Sequence, residues 1–235
     1  MPDPFADHLP PDLAVLARAA TAAAALVSVI GGAAFLLIWA ERKVSARMQD
    51  RLGPTRVGPL GLLQSLADGV KLLTKEDVAP GAADRFLFRV APTLAFCATF
   101  CGFLALPFAS GLVGQPVGVA AFFVLACLSA EVFGVLLAGY ASGSKWALFG
   151  GVREAAQVVS YEIPRALCVV AVVCRAGTLD LTAVGDQQAG FFWRWHLFAD
   201  PFLFVAGPVF FVTATAGCKR APFDLAEAES ELVAG

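Results

Sequence analysis

Apolar residues run along this chain in long unbroken blocks rather than in the alternating pattern of a half-buried strand. Five blocks approach the roughly 20 residues that a helix needs to cross a hydrocarbon core of about 30 Å. They cover residues 19–40, 90–110, 118–141, 155–174 and 201–217. The first carries only Thr21 and Ser28 as mild polar entries, and the fourth is polar at its start and apolar toward its end. The fifth is short but dense in phenylalanine, with Phe202, Phe204, Phe210 and Phe211. The pattern predicts an all-α polytopic membrane protein of about five transmembrane helices, forming a single membrane domain over 1–235. Between the first two spans lies a polar loop, 41–89, broken by the turns Gly53-Pro54 and Gly58-Pro59. Within it, Leu62, Leu63, Leu66, Val70 and Leu73 fall on one helical face, with Asp68, Lys71 and Lys75 turned away. This predicts an amphipathic helix over 60–74, too short and too polar to span, lying in the membrane interface. Such a helix is either a lipid-packing anchor or one wall of a lateral portal for an apolar ligand.

Composition sharpens the class. Hydrophobic residues make up 58% of the chain and charged residues 15%, against about 25% charged in soluble domains. Mean hydropathy is +0.73. A disordered chain, a collagen-like chain and an ordinary soluble enzyme are excluded. The net charge of −2 argues against a nucleic-acid partner, which selects a basic surface. Nine of the 17 basic residues lie in 41–89, and none lies between the second and third spans. The positive-inside bias then places 41–89 and the tail 218–235 in the cytoplasm, and the N-terminus outside. Asp3, Asp7 and Asp12 precede the first basic residue, Arg18, unlike the basic start of a signal peptide. Cys97 and Cys101 share a helix face, but no second Cys/His pair accompanies them, so they read as small apolar residues and no metal site is expected.

Carboxylates inside the apolar blocks are the first candidates for chemistry. A charge at a helix centre costs about 2.5–3.5 kcal/mol on insertion scales, so such a residue faces a cavity or a partner. Glu131 lies near the middle of the third span. Glu162 lies in the fourth, beside Tyr161 and three residues before Arg165, at a spacing that allows an ion pair. Pro164 stands between them and predicts a kink. Glu162 is then either half of a helix-locking pair or a proton-relay carboxylate. The third feature is the acidic tail. Pro222 sets the turn out of the fifth span, and Asp224 with Glu227 resembles a capping box. Asp224, Glu227 and Glu231 share a face from which Glu229 points away.

These features together resemble a known family. The carrying stretches are ERKVSARMQDRLGPTRVGPLGLLQSLADGVKLLTKEDVAP at 41–80, LAGYASGSKWALFGGVREAAQVVSYEIP at 137–164 and KRAPFDLAEAESELVAG at 219–235. They resemble the membrane subunit of proton-pumping NADH:quinone oxidoreductase, respiratory complex I, called the H subunit in bacteria and subunit 1 in mitochondria. The resemblance implies a subunit of the cell inner membrane that joins the peripheral and membrane arms. It implies quinone as substrate, flavin and iron–sulfur clusters on partner subunits, and the other complex I subunits and the lipid bilayer as partners. At the quinone entrance it implies Glu41, Arg42, Arg47, Arg51 and Arg56, with Asp68 and Lys71 on the amphipathic helix, which favours the portal over the anchor. Along the proton path it implies Arg153, Gln157, Tyr161, Glu162 and Arg165, then Asp224, Glu227, Glu229 and Glu231. Arg220 and Pro222 are structural members of the same motif.

Three residues depart from the family pattern. Gly217 stands where the family ends its fifth span with a glutamate, shortly before an Asn-Arg or similar pair. Glu131 stands where a small or apolar residue is expected, and Glu154 where alanine is expected. Glu131 is therefore either a relocated acid or one half of an ion pair. The family also continues with about three more spans, so the resemblance implies a fragment, a split or truncated gene, or a member of reduced role. A non-catalytic paralogue or assembly remnant, and the equivalent subunit of a ferredoxin- or hydrogenase-linked complex, are the alternatives. An independent channel or transporter ranks last, because the two halves of the chain show no internal repeat.

Overall fold

The computed structural model describes residues 10–109, 112–219 and 222–223. The fold is all-α apart from one short antiparallel pairing, and the chain divides into two compact units, Met1–Val78 and Ala79–Gly235.

In the first unit, α1 (Pro11–Met48) is far longer than the apolar block inside it. It starts on a proline at its first position, which has no N–H to leave unsatisfied. It continues past residue 40 because Glu41, Arg42, Lys43, Ala46 and Arg47 are good helix formers. Its 38 residues make a rod about 57 Å long at 1.5 Å per residue. The chain then turns through Asp50 (φ 53°) into a 3-10 turn, Pro59–Gly61, and α2 (Gln64–Leu73).

The amphipathic helix therefore starts later than the predicted residue 60. Leu60 has φ 55°, and Gly61 has φ 76°, outside the right-handed helical region. A Cβ on Gly61 would lie 2.3 Å from the Pro54 carbonyl oxygen, so only glycine fits this turn. The apolar side chains Leu66, Val70 and Leu73 of α2 are exposed.

The second unit holds α3 (Arg85–Leu104), α4 (Ala120–Ala141), α5 (Lys145–Ala176), α6 (Leu181–Gln187), α7 (His196–Ala199) and α8 (Pro201–Gly217). A 3-10 turn, Phe192–Arg194, lies between α6 and α7. Strands β1 (Pro107–Ala109) and β2 (Leu112–Val113) pair between α3 and α4. Aspartates define three of the helix starts. Asp84 accepts from Phe86 N (3.0 Å) and Leu87 N (3.2 Å), Asp180 from Thr182 N (2.9 Å), and Asp200 from Phe202 N (2.9 Å).

The second predicted span, 90–110, is thereby shifted. It starts at Arg85 under its Asp84 cap and ends at Leu104, ahead of Pro107, which disfavours a helical residue before it. The fourth runs from Lys145, well before the predicted residue 155, and continues through Pro164 to a left-handed Gly177 cap. The fifth keeps its predicted bounds but has only 17 residues, about 26 Å of helix. Among the described residues four helices, α1, α3, α4 and α5, are long and apolar enough to cross a membrane; α8 is apolar but shorter.

Within this unit α3 packs on α4, α4 on α5, and α5 on α8. Small residues bring the backbones together, as expected where lipid gives helices no hydrophobic reason to associate. A Cβ on Gly134 would stand 2.7 Å from the Ala95 Cβ and 2.9 Å from the Ala95 backbone nitrogen. A Cβ on Gly139 would stand 2.8 Å from the Ala147 carbonyl oxygen. Asp84 N–H donates to the Ala141 carbonyl at 2.9 Å and ties the start of α3 to the end of α4. Large side chains such as Phe133, Leu167 and Phe202 point outward.

Replacing Gly134 with leucine is expected to force α3 and α4 apart at a cost of about 1–3 kcal/mol, while Gly118→Ala, in open space, is neutral. Thermal unfolding of the detergent-solubilised protein reads the difference, and equal melting of the two variants would remove Gly134 from the interface.

Candidate functional site

Polar side chains gather in two places, one in each unit. In the first unit the Arg42 guanidinium of α1 makes a short charge-assisted hydrogen bond to the Asp68 carboxylate of α2, whose other oxygen accepts from Gln64 at 3.0 Å. The Trp39 indole N–H donates to the Leu60 carbonyl at 3.2 Å. These bonds hold the amphipathic helix against the polar end of α1. Arg42 lowers the Asp68 carboxyl below its ordinary value, first by hydrogen bonding, assisted by the Gln64 amide. Of the other residues expected at an entrance, Glu41, Arg47, Arg51, Arg56 and Lys71 are exposed, and Glu41 takes part in an interaction of its own. Arg42 and Asp68 are the pair that the structure brings together.

In the second unit the membrane carboxylates have specific neighbours. The Ser129 hydroxyl of α4 makes a short hydrogen bond to Glu162 of α5, and also lies 3.0 Å from the Leu125 carbonyl. The Thr99 hydroxyl of α3 lies 3.3 Å from a Glu131 oxygen of α4, and 3.1 Å from the Ala95 carbonyl. Each carboxylate thus meets a hydroxyl on the next helix that has a second acceptor one turn back. A hydroxyl donates to a carboxylate, or turns to its carbonyl and accepts from a carboxylic acid. The arrangement suits both protonation states.

Of the two readings left open for Glu162, the pair with Arg165 does not form. Positions three apart on a helix still differ by about 60° around its axis, enough here for the two side chains to face different neighbours. Glu162 turns to α4. Arg165 turns to α8, where its guanidinium donates to the Thr213 carbonyl at 2.7 Å and fills the space beside Gly217. A Cβ on Gly217 would stand 2.4 Å from that guanidinium. Gln157, 5% exposed, donates to the Phe223 carbonyl at 2.6 Å. Tyr161 meets the Phe223 ring edge-on at 5.4 Å. Arg153 is half-buried and takes part in an interaction of its own. Pro222 is exposed. Arg220, Asp224, Glu227, Glu229 and Glu231 lie outside the described residues.

Lys219 opens the 219–235 stretch but is not among the expected site residues. Its ammonium lies 2.8 Å from Glu154 and 3.4 Å from Glu131. The ammonium donates a hydrogen bond to Glu131; Glu154 Oε1, at the shorter distance, is buried without an aligned donor and meets the ammonium as an ion pair. The two surplus acids, one per helix, are the signal in the sequence that a cation must be near. Ser129 and Thr99 escape sequence reasoning because a lone hydroxyl in an apolar block reads as neutral filler.

A family model described as NADH dehydrogenase matches residues 20–235. The NADH-quinone oxidoreductase H subunit 2 of Cytophaga hutchinsonii is 46% identical over 228 residues, covering 86% of this chain and 62% of its own length. The NADH-quinone oxidoreductase H subunit of Anaeromyxobacter dehalogenans is 48% identical over 218 residues, covering 92% of this chain and 53% of its own. The H subunit of Chlorobaculum parvum is 46% identical over 200 residues, with 84% and 56% covered. The chain spans between about half and three fifths of the length of these curated relatives.

A depressed carboxyl stabilises the fold above its ordinary value, near 3.8, and the contribution is lost as the pH falls through the lowered one. The protection of the α2 amides, taken against the intrinsic exchange rate at each pH, is therefore expected to stay constant from pH 7 to about 4 and to fall below that. In Asp68→Asn it should be lower already at neutral pH. An Asp68→Asn profile that overlays the parent would dismiss the pair as a tether.

Proposed function

We infer, for a chain that belongs to the NADH dehydrogenase family, the role of the quinone-site membrane subunit of NADH:quinone oxidoreductase, coupling quinone reduction to proton translocation and joining the peripheral and membrane arms. The observation that supports this best is Glu162, a carboxylate in an apolar helix with a hydroxyl partner that serves it charged or neutral. A purely structural acid is better served by a cation, and Arg165, one turn away, is committed elsewhere.

Reduction of a quinone to a quinol takes two electrons and two protons. In this reading the electrons arrive from flavin and iron–sulfur clusters held by partner subunits, and the protons come from donors near the headgroup. Each donated proton leaves negative charge in a place of low dielectric, which is costly. That charge favours protonation of nearby carboxylates. Glu227 and Glu231 of the tail pass the perturbation to Glu162, with Tyr161, Gln157, Arg153 and Arg165 around it, and Glu162 passes it to a neighbouring subunit. Glu131 takes part as a relocated acid. The quinone enters beside α1 and α2, where Arg42 and Asp68 stand with Glu41, Arg47, Arg51, Arg56 and Lys71. The loop 41–89 and the tail face the cytoplasm, the N-terminus faces outward, and the membrane is the cell inner membrane. Gly217, filled by Arg165, favours a second reading: a paralogue that assembles without catalysis.

Glu162→Gln in the assembled complex is expected to lower quinone reductase activity and proton pumping at least about tenfold, while electron entry into an artificial acceptor persists. Unchanged coupled turnover would take Glu162 out of the pathway, and a complex without quinone reductase activity in the parent favours the second reading.

A further inference from the structure

We propose that Glu131, Glu154 and Lys219 form one protonation site, which stores a single proton on Glu131. The three groups come from three elements: Glu131 from the middle of α4, Glu154 from the first turns of α5, and Lys219 from just beyond α8. One ammonium stands between two carboxylates, at 2.8 Å from Glu154 and 3.4 Å from Glu131. With all three ionised the site carries a net charge of −1. In a membrane that excess is costly, and uptake of one proton removes it.

Geometry chooses which carboxylate takes the proton. Glu154 is 5% exposed, and its Oε1 has no compensation besides the ammonium at 2.8 Å, so it stays ionised against Lys219 and out of reach of water. Glu131 is one-third exposed at its side chain and farther from the ammonium, and it meets the Thr99 hydroxyl. When the Glu131 carboxylate takes up a proton from water or a neighbouring acid, a carboxyl O–H bond forms. Thr99 then turns its own O–H to the Ala95 carbonyl at 3.1 Å and accepts from the new acid. Loss of the proton reverses both movements.

Among the described residues, the other charged groups of the packed helices have contacts of their own or lie far along their helices. On α5, Glu162 faces Ser129, Arg165 faces the Thr213 carbonyl, and Arg153 has an interaction of its own. On α3, Arg89 stands about 15 Å along the helix axis from Thr99. The sequence of α8 holds no charged residue. Lys219 itself is held in a strained pose. Its φ of 54° lies in the left-handed region, at the position after a helix end where glycine or asparagine is usual. A lysine there is strained, because its Cβ crowds the following carbonyl. That strain is retained in the conformation that puts its ammonium between the two acids.

Lys219 and Glu154 are thus positioning residues, and Glu131 is the exchanging group. The proposal uses the proton-coupled reading of the chain only for the purpose of the site, since proton storage is measurable without turnover. Infrared difference spectroscopy of the membrane complex isolated through this chain reads the C=O stretch of a protonated carboxyl group at fixed near-neutral pH. Glu131→Gln is expected to abolish the band. Lys219→Met removes the competing positive charge and raises the protonated-to-ionised ratio by roughly tenfold, the change one pH unit makes. Glu154→Gln leaves Glu131 as the sole partner of the ammonium and lowers the ratio. Lys219→Arg keeps the charge and restores the parent band.

A band indifferent to Glu131→Gln overturns the proposal. So do shifts in the same direction for Lys219→Met and Glu154→Gln, since a merely disturbed interface has no reason to give opposite signs. Where Lys219→Met does not assemble, Glu154→Gln and Lys219→Arg carry the same decision. Opposite shifts in a complex that neither reduces quinone nor pumps protons leave the site standing and remove the coupling role.

Discussion

A hydrocarbon core offers no water to solvate a carboxylate, so every acid in it must find its partner on a neighbouring helix. That requirement organises the second unit. Partners on adjacent helices meet only where backbones approach closely, and here the approach depends on small residues. Gly134 lies against Ala95, and Gly139 against the Ala147 carbonyl. The same contacts bring the Thr99 hydroxyl of α3 to Glu131 of α4, and the Ser129 hydroxyl of α4 to Glu162 of α5. Packing and polar chemistry are one problem in this region, since a larger residue at the interface would separate the helices and the hydrogen bonds together.

α8 is held by a related device. It is too short to rely on apolar burial alone. Backbone N–H groups of Cys218 and Lys219 cap its Thr215 and Ala216 carbonyls, and further donors reach its C-terminal end from α5. Arg165 reaches the Thr213 carbonyl, and Gln157 reaches both Ala216 (3.5 Å) and Phe223. Arg165 and Lys219 also place positive charge at the negative end of the α8 dipole. The two residues therefore answer the helix end and the acids around it at the same time.

Much of this was legible in the residues alone. The apolar blocks marked every long helix, because lipid-facing surfaces need no alternation to betray them. Glu131 and Glu162 stood out because a charge in such a block has to be explained. The bounds were less legible. α3 takes its start from Asp84 and its end from the turn before Pro107, both outside the apolar core of the block. α2 starts late because of backbone conformations at Leu60 and Gly61 that a hydrophobic face does not encode. The choice between a Glu162–Arg165 pair and separate partners was not legible, because the i,i+3 rule describes an isolated helix, whereas here α4 and α8 compete for the two side chains. Lys219 was hidden by its neighbourhood: next to Arg220 it looks like one more cytoplasmic-flank cation.

The bare backbone at Gly217 constrains the residues around it. Its lack of a side chain leaves room for Arg165, while Lys219 two residues on serves Glu131 and Glu154. A carboxylate at 131 or 154 without that lysine, or the lysine without either acid, leaves an uncompensated charge in the bilayer. A glutamate at 217 would meet the guanidinium and draw it from Thr213. Glu131, Glu154 and Lys219 therefore depend on one another for compensation, and Gly217 keeps the Arg165 guanidinium on the Thr213 carbonyl beside them.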